Sequence, residues 1–479
     1  MLNVSYLQMH FRNVLNYLKL NVPRAQHLLN CLILSFLIYG AVNKVLSNNV
    51  ISTINPIEDY GYLLTVLCYT LKYSFVFALP SAFAHVFALM FYNNFKDRIR
   101  LKTSKHTPSE LPFICFRVVT RGDFPDLVKS NIHRNLSVCS EVGLQNFVFE
   151  IATDKSINLE PSFVVRETVV DSKYKTKNGT LYKARALQYC LEFGESLRDN
   201  DYVVHLDEET LLTTDCLRGI INFIVDGRYE FGQGVITYAD HEVVNWWTTF
   251  NESFRVGYDY GCIQFQFRVF HKIIFGWKGS YIVAKVCAEK DIGFDHGVEG
   301  SIAEDNYFGL KAVEKGYKFD FIEGNMCEKA PFTFGDLIKQ RKRWGLGQRM
   351  IAASSQIPWK YKFFYVLQYL SCFYGFSVLP YIFITQRFPF PNDHFLIDSL
   401  RAFTLVVNFY LVLFGYFKQF KGKKFFYGLL YAIVLIMLPF TFVLESYAFV
   451  SSLFAREIKF FVVKKEVKDM KQQIIVNTV

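Results

Sequence analysis

Residues 202–212 read YVVHLDEETLL, and the change within them from an apolar run to three consecutive acids decides the fold class. A short, largely β-branched apolar run predicts a strand buried on both faces. Asp207, Glu208 and Glu209 then fall at its C-terminal end. Alternate side chains of a strand share a face, so Asp207 and Glu209 point one way and Glu208 the other. Ligands of open α/β sheets bind at that edge. Like charges this close raise one another's pKa unless a cation sits among them. Two hard oxygen ligands on one face suit Mg²⁺ or Mn²⁺, shared with phosphate oxygens.

Around this strand the polar centre of the chain alternates strand-like runs (PFICFRVVT, NFVFEIATD, EFGQGVITY, GSYIVAKV) with helical patterns such as DLVKSNIHRNL and KARALQYCLEFGESL. That alternation predicts βαβ units and a mainly parallel sheet, an α/β domain over 96–356. Apolar runs flank it. The runs at 28–46 and 73–92 each have the length that crosses a hydrocarbon core, and define an N-terminal segment, 1–95, with two transmembrane helices. Arg12, Lys19 and Arg24 precede the first; Lys96, Arg98, Arg100, Lys102 and Lys105 follow the second. Positive flanks on both sides predict a hairpin with both ends in the cytosol. Segment 357–479 holds apolar runs at 363–384, 402–417 and 425–454, with Lys418, Lys421, Lys423 and Lys424 before the last and a basic tail after it. Three simple crossings would place that tail in the lumen, against the positive-inside rule, so the 425–454 run, with Pro439 and Glu445 inside it, is open to a fold-back or a break. Glu445 reads equally as a functional group at membrane depth or as an interfacial one.

Composition agrees. The 479 residues are 51% apolar with 50 Phe, and the net charge of +10 fits basic segments against an anionic leaflet. No Lys/Arg-rich reading motif accompanies that charge, so nucleic acid is not an expected partner. The 10 cysteines form no C-x-x-C pair, which argues against a zinc site and a disulfide framework and for a reducing compartment.

Two further motifs follow the acids. Glu304 and Asp305 open a predicted helix, EDNYFGLKAVEKGYKF, where acids commonly serve the macrodipole. QRKRW at 340–344 sets three cations beside a tryptophan. Such a cluster is often only a solvated basic face, but a guanidinium is also shaped to grip a diphosphate.

The ordered set of a strand, an acid-x-acid motif, E-D at a helix start and Q-x-x-R-W before a membrane segment resembles the inverting glycosyltransferases that include cellulose, chitin and hyaluronan synthases. RVVTRGD at 117–123, LYKARALQY at 181–189, VVHLDEET and EDNYFGLKAVEKGYKFDFIEG are similar, more narrowly, to the egghead-type β-1,4-mannosyltransferases of glycosyltransferase family 2. The resemblance implies a GT-A nucleotide-sugar-binding domain. It also implies transfer of mannose from GDP-mannose to glucosylceramide in the endoplasmic reticulum or Golgi membrane, by a multi-pass protein whose catalytic domain faces the cytosol.

The resemblance assigns roles by position. Asp207 lies near the ribose and diphosphate, and Glu209 stands where the second acid holds the metal; many relatives have Asp there, which alters the ligand's length. Asp305 takes the place of the catalytic base, with Glu304 beside it. Gln340, Arg341, Arg343 and Trp344 match the motif near the diphosphate and acceptor, Trp344 offering a flat face for a sugar ring. Thr120, Arg121 and Gly122 border the nucleotide. Asp154 contacts the base, with Glu150 its rival. Lys183 and Arg185 are phosphate contacts or ordinary helix-face charges.

Other features count for less. His205, His241, His271 and His296 share no metal-ligand spacing, and NWWTTF at 245–250 is expected in the core. Sequons at Asn135, Asn178 and Asn251 stay unmodified in a cytosolic domain, which makes them a topology check. Two other readings stand beside the mannosyltransferase. A processive polysaccharide synthase has the same chemistry; a transporter with a cytosolic regulatory domain leaves the ordered acids unexplained.

Overall fold

The computed structural model describes residues 4–47, 54–96, 98–102, 111–160, 162–240, 242–420 and 427–455. His241, Lys105, Lys421, Lys423, Lys424 and the basic tail beyond 455 lie outside the described residues.

Seven strands form one sheet: β1 (Ile114–Thr120), β2 (Phe147–Thr153), β3 (Val165–Val169), β4 (Tyr202–Asp207), β5 (Phe231–Thr237), β6 (Ile282–Lys285) and β7 (Phe319–Cys327). Their order is β3-β2-β1-β4-β6-β5-β7, with β6 antiparallel to both its neighbours and the remaining pairs parallel. The runs ICFRVVT and YVVHLD are buried almost throughout, as strands covered on both faces must be. Helices Pro125–Val142, Tyr182–Phe193 and Thr214–Asp226 make the crossovers. The first starts with Pro at its opening turn and stops at Gly143 in the left-handed region; the third is capped by Thr213, whose hydroxyl accepts from Cys216 N at 3.1 Å.

The sheet carries buried charge. Arg117 on β1 meets Glu150 on β2 at 2.8 Å and Glu289 at 3.0 Å, and Glu289 also lies 3.2 Å from His205 on β4. Each of these groups is wholly inside, where an ion is tolerated only with such partners. Of the two rival acids of β2, Glu150 is thus bonded inside the sheet, whereas Asp154 lies at its edge.

Register aligns the strand ends, since Thr120 pairs with Thr153 and Val119 with Asp207. One edge therefore gathers Thr120, Asp154 and the acids after β4.

Three helical stretches among the described residues are long and apolar enough to cross a membrane: Val22–Ser47, Tyr62–Phe91 and Phe395–Gln419. Trp359–Ser371 and Tyr374–Arg387 form a fourth apolar unit, bent by 41°. The second stretch begins earlier than the predicted 73–92, because helix Tyr62–Tyr73 runs into helix Phe75–Phe91. The last run, open by sequence to a fold-back or a break, shows neither among the described residues: Tyr427–Leu453 is one helix through Pro439. It lies along helix Phe334–Ala353, where Gly345 leaves room for Ser452. The basic flank after the second stretch is tied to the α/β domain, Lys96 to Glu323 at 2.7 Å and Lys102 to Asp226. NWWTTF divides rather than packing whole: Phe250 is buried, while Trp246 and Trp247 are 41% and 49% exposed, since its short helix has one covered side. The ten cysteines are free thiols.

Candidate active site

A cavity of about 610 Å³ opens over the aligned strand ends. From the sheet come Thr120, Arg121, Asp154, Asp207, Glu208 and Glu209; from helix Glu304–Glu314, its first two residues; from helix Phe334–Ala353, Gln340, Arg341, Arg343 and Trp344. Gln368, Glu445 and Phe449, on the apolar helices, and Cys372, in the turn after helix Trp359–Ser371, also line it.

The three consecutive acids divide as alternation requires. Glu208 is buried and accepts from the Thr120 hydroxyl, tying β4 to β1. Asp207 and Glu209 stay partly exposed in the cavity. The cation that meets Asp207 is Lys183, from the start of helix Tyr182–Phe193: its Nζ lies 2.5 Å from Asp207 Oδ1 and 3.8 Å from Glu304 Oε1, and donates to Gly279 O at 2.9 Å. The preceding Tyr182 adopts a φ of 56°, an uncommon conformation for a bulky residue. Burial opposes charge on Lys183, yet Asp207, Glu304 and Asp305 raise its pKa above the ordinary lysine value.

Gly279 marks where the groups converge. A Cβ there would lie 3.3 Å from Lys183 Nζ, 3.4 Å from Asp305 Oδ2 and 3.5 Å from Glu304 Oε1. Asp305 is oriented by Asn306, which donates to Oδ1 from its backbone N at 2.7 Å and from Nδ2 at 3.0 Å. Asn306 is itself fixed to the Trp277 backbone at 2.9 and 3.1 Å. A helix N-terminus favours carboxylates, but here burial outweighs it. Burial and the neighbouring Asp305 push Glu304 up to about 7, against the pull of Lys183 and Arg343. Burial likewise raises Asp305. On Arg343 burial works downward, and Glu304, Asp207, Asp305 and Glu209 work against it.

The expected residues are thus largely brought together. Gly122 (φ +79°) shapes the turn after β1 from just behind the wall; a Cβ there would meet the Lys155 carbonyl at 2.5 Å. Arg121 is exposed beside Asp123 at 3.4 Å. Asp154 is paired with Arg185 at 2.7 Å. Arg341, expected among the donor contacts, has its guanidinium committed to Glu252 at 2.7 Å and Glu445 at 2.8 Å; of the motif's arginines, Arg343 is the one coupled to the acids. Trp344, expected to offer its face to a sugar, holds the guanidiniums of Arg341 and Arg255 at 4.2 and 4.5 Å from its ring centroid.

Sequence reasoning passed over Glu328, Gly279, Asn306 and the buried Lys278–Asp259 pair. Glu328 follows β7 and accepts from Thr210 Oγ1 at 2.7 Å; burial, with Asp207 and Glu209 nearby, pushes it up to about 7. The signal for it was an acid directly after the C-terminal end of a strand, in CEKAP.

A mainly parallel sheet whose strand ends set acids and cations over a cavity continuous with apolar helices is the architecture of a membrane-associated glycosyltransferase with a GT-A domain. The model of the family described as "Glycosyl transferase family group 2" matches residues 202–444. Two relatives match over most of their length. "Beta-1,4-mannosyltransferase egh" of Drosophila melanogaster is 43% identical, covering 92% of this chain and 98% of its own. "Beta-1,4-mannosyltransferase bre-3" of Caenorhabditis elegans is 45% identical, covering 86% and 91%. Among solved structures, S. aureus TarS 1-349 covers 56% of this chain and 72% of its own at 12% identity and a TM-score of 0.32. The chain belongs to glycosyl transferase family group 2, within its β-1,4-mannosyltransferases, and is a hexosyltransferase.

Proposed function

We propose that the protein transfers mannose from GDP-mannose to glucosylceramide, giving β-1,4-mannosyl-glucosylceramide with inversion at the anomeric carbon. The observation that carries this reading is the single cavity joining Asp207 and Glu209 at the sheet edge, Asp305 beside Gly279, and Cys372 and Phe449 among the apolar helices. A polar donor and a lipid-borne acceptor fit its polar and apolar linings.

Asp305 is the base. With Oδ1 held by Asn306 and Oδ2 toward Gly279, its raised pKa suits it to take the proton of the acceptor hydroxyl as that oxygen attacks. One displacement inverts an α-linked donor, so no covalent nucleophile is needed. Lys183 and Arg343 offset charge on the departing diphosphate. Thr120, Arg121 and Asp154 border the nucleotide, and Gln340 and Trp344 the acceptor.

Among the described residues no three His, Cys, Asp or Glu side chains cluster as a metal site. The donor set still fits Mg²⁺ or Mn²⁺: two carboxylates, Asp207 and Glu209, completed by phosphate oxygens, are how such ions are commonly held. Burial first, and then the negative field of the same two acids, raises the pKa of the nearby Glu328. Bound there, the ion would neutralise the leaving diphosphate.

The catalytic domain is placed on the cytosolic face of the endoplasmic reticulum or Golgi membrane. Of the three sequons, Asn135 and Asn251 are each 2% exposed, leaving Asn178 as the informative reporter. Glycosylation at Asn178 in cells would reverse that orientation.

The deciding experiment offers GDP-mannose and UDP-sugars in parallel to detergent-solubilised protein with glucosylceramide and Mg²⁺ or Mn²⁺. A single mannose added from GDP-mannose alone supports the reading. Transfer from a UDP-sugar, or a ladder of products, moves the function to the polysaccharide-synthase alternative.

A further inference from the structure

The last apolar helix, Tyr427–Leu453, carries a carboxylate, Glu445. A charge on such a helix is costly and persists where it has a partner or a task. Its partner is well defined. Arg341 Nε donates to both oxygens, at 2.8 and 3.0 Å, and Asn251 Nδ2 donates to Oε1 at 2.5 Å. The rest of the guanidinium is occupied as well: Nη2 donates to Glu252 at 2.7 Å and Nη1 to Gln340 Oε1 at 2.6 Å. Glu252 is fully buried and also accepts from Arg255 at 3.1 Å. The two guanidiniums thus share Glu252, Arg341 also holds Glu445, and both lie against Trp344.

We propose that Glu445 is a positioning residue for the acceptor end of the cavity, fixing the plane of Arg341 and through it the settings of Gln340 and Trp344. This rests on the cavity being the transferase site. A plain strut between helices is the competing explanation, and two observations go against it. Close approach of the helices is already provided by small residues: a Cβ on Gly345 would lie 2.5 Å from Ser452 Oγ, and one on Gly375 2.8 Å from Ser446 Oγ. Moreover, Glu445, Arg341, Gln340 and Trp344 all line the cavity itself. Glu445 therefore acts on the wall of the site as well as on the helix contact. Arg343, on the same helix, is coupled instead to Glu304, Asp207, Asp305 and Glu209, so the effect of Glu445 falls on Arg341, Gln340 and Trp344.

The test compares full-length wild type, Glu445→Gln and Glu445→Asp in detergent, with GDP-mannose, glucosylceramide and Mg²⁺. Acceptor KM, GDP affinity by titration, and the thermal midpoint are read together. Glu445→Gln should raise acceptor KM about tenfold with GDP affinity unchanged, as expected when a positioning contact is misplaced. Glu445→Asp, which keeps the charge on a shorter stem, should recover part of that loss. Unchanged acceptor KM in a folded variant overturns the proposal. So does a rise in acceptor KM accompanied in step by falls in GDP affinity and midpoint, the signature of a strut. If Glu445→Gln does not fold, Asn251→Ala removes one hydrogen bond to Glu445 and should raise acceptor KM by about threefold; no change there overturns it. If the wild type uses a different donor or acceptor, the substrate reading falls, and the Glu445 comparison is made on the pair it does use.

Discussion

Lys183 and Asp207 meet at 2.5 Å across the end of the sheet, the lysine from a helix and the acid from the strand beside β1. Within reach of Glu304 as well, Lys183 bridges the donor acids and the acids at the helix start. Its removal should leave those carboxylates repelling one another and an incoming diphosphate. Lys183→Ala should lower kcat/KM for GDP-mannose by roughly 10²–10³, the range for losing one preorganised electrostatic contact. Steady-state kinetics with equilibrium GDP binding check this. A loss of less than about threefold would confine Lys183 to a packing role.

Asp305→Asn keeps the hydrogen bonds to Asn306 but removes the base. Transfer should fall by about 10²–10⁴, the usual contribution of a general base, with GDP affinity retained. Wild-type-like turnover would take Asp305 out of the mechanism.

Glu209→Gln should raise the Mg²⁺ or Mn²⁺ concentration needed for half-maximal rate by about tenfold, since one of two charged ligands becomes neutral. A titration of each metal at saturating donor reads the effect. An unchanged requirement counts against Glu209 as a ligand.

Glu304 is pushed up to about 7 and Asp305 is raised too, both by burial first, so protons are retained into the neutral range. A protonated base cannot accept the acceptor's proton, so kcat should rise with pH as Asp305 ionises, above the ordinary carboxylate range. For stability the sign is opposite: the raised folded pKa of Glu304 stabilises below 4.5, its unfolded value, and that contribution is lost as pH climbs to about 7. Glu304→Gln removes a neighbouring negative charge and should move the acid limb of the rate profile to lower pH. A pH–kcat profile whose acid limb stays put would separate the limb from this pair.

Gly279→Ala would insert a methyl group 3.3 Å from Lys183 Nζ, which must shift by a few tenths of an ångström, and in ordinary contact with Asp305 and Glu304 at 3.4 and 3.5 Å. Transfer should drop by about tenfold or more while the thermal midpoint stays within about 2 °C, because the added group meets side chains facing a cavity rather than the core. Unchanged turnover would mean the three groups do not work in the geometry seen.

Local pattern carried the reading of β4 and the E-D helix start, since strand and helix periodicities are written in neighbouring residues, while the role of Q-x-x-R-W came from the resemblance. It did not reach Asn306, whose amide orients the adjacent Asp305 only because Trp277 anchors it from another segment. Nor did it distinguish Arg341 from Arg343. The two are near neighbours on one helix, and only the packing of Glu252 and Glu445 on one side and the acids on the other separates them.

The sequence by itself determined the apolar lengths, the buried strands and the acids at a strand's C-terminal end, because those follow from side-chain period and hydropathy over a few residues. The tertiary structure alone decided that Lys183 answers Asp207, that Glu150 is spent on Arg117, and that a carboxylate on the last helix holds an arginine of the site. The reason is physical. The energy of a buried charge depends on what stands within a few ångströms in a low-dielectric surround. Strand order and helix packing, not sequence neighbours, set that distance.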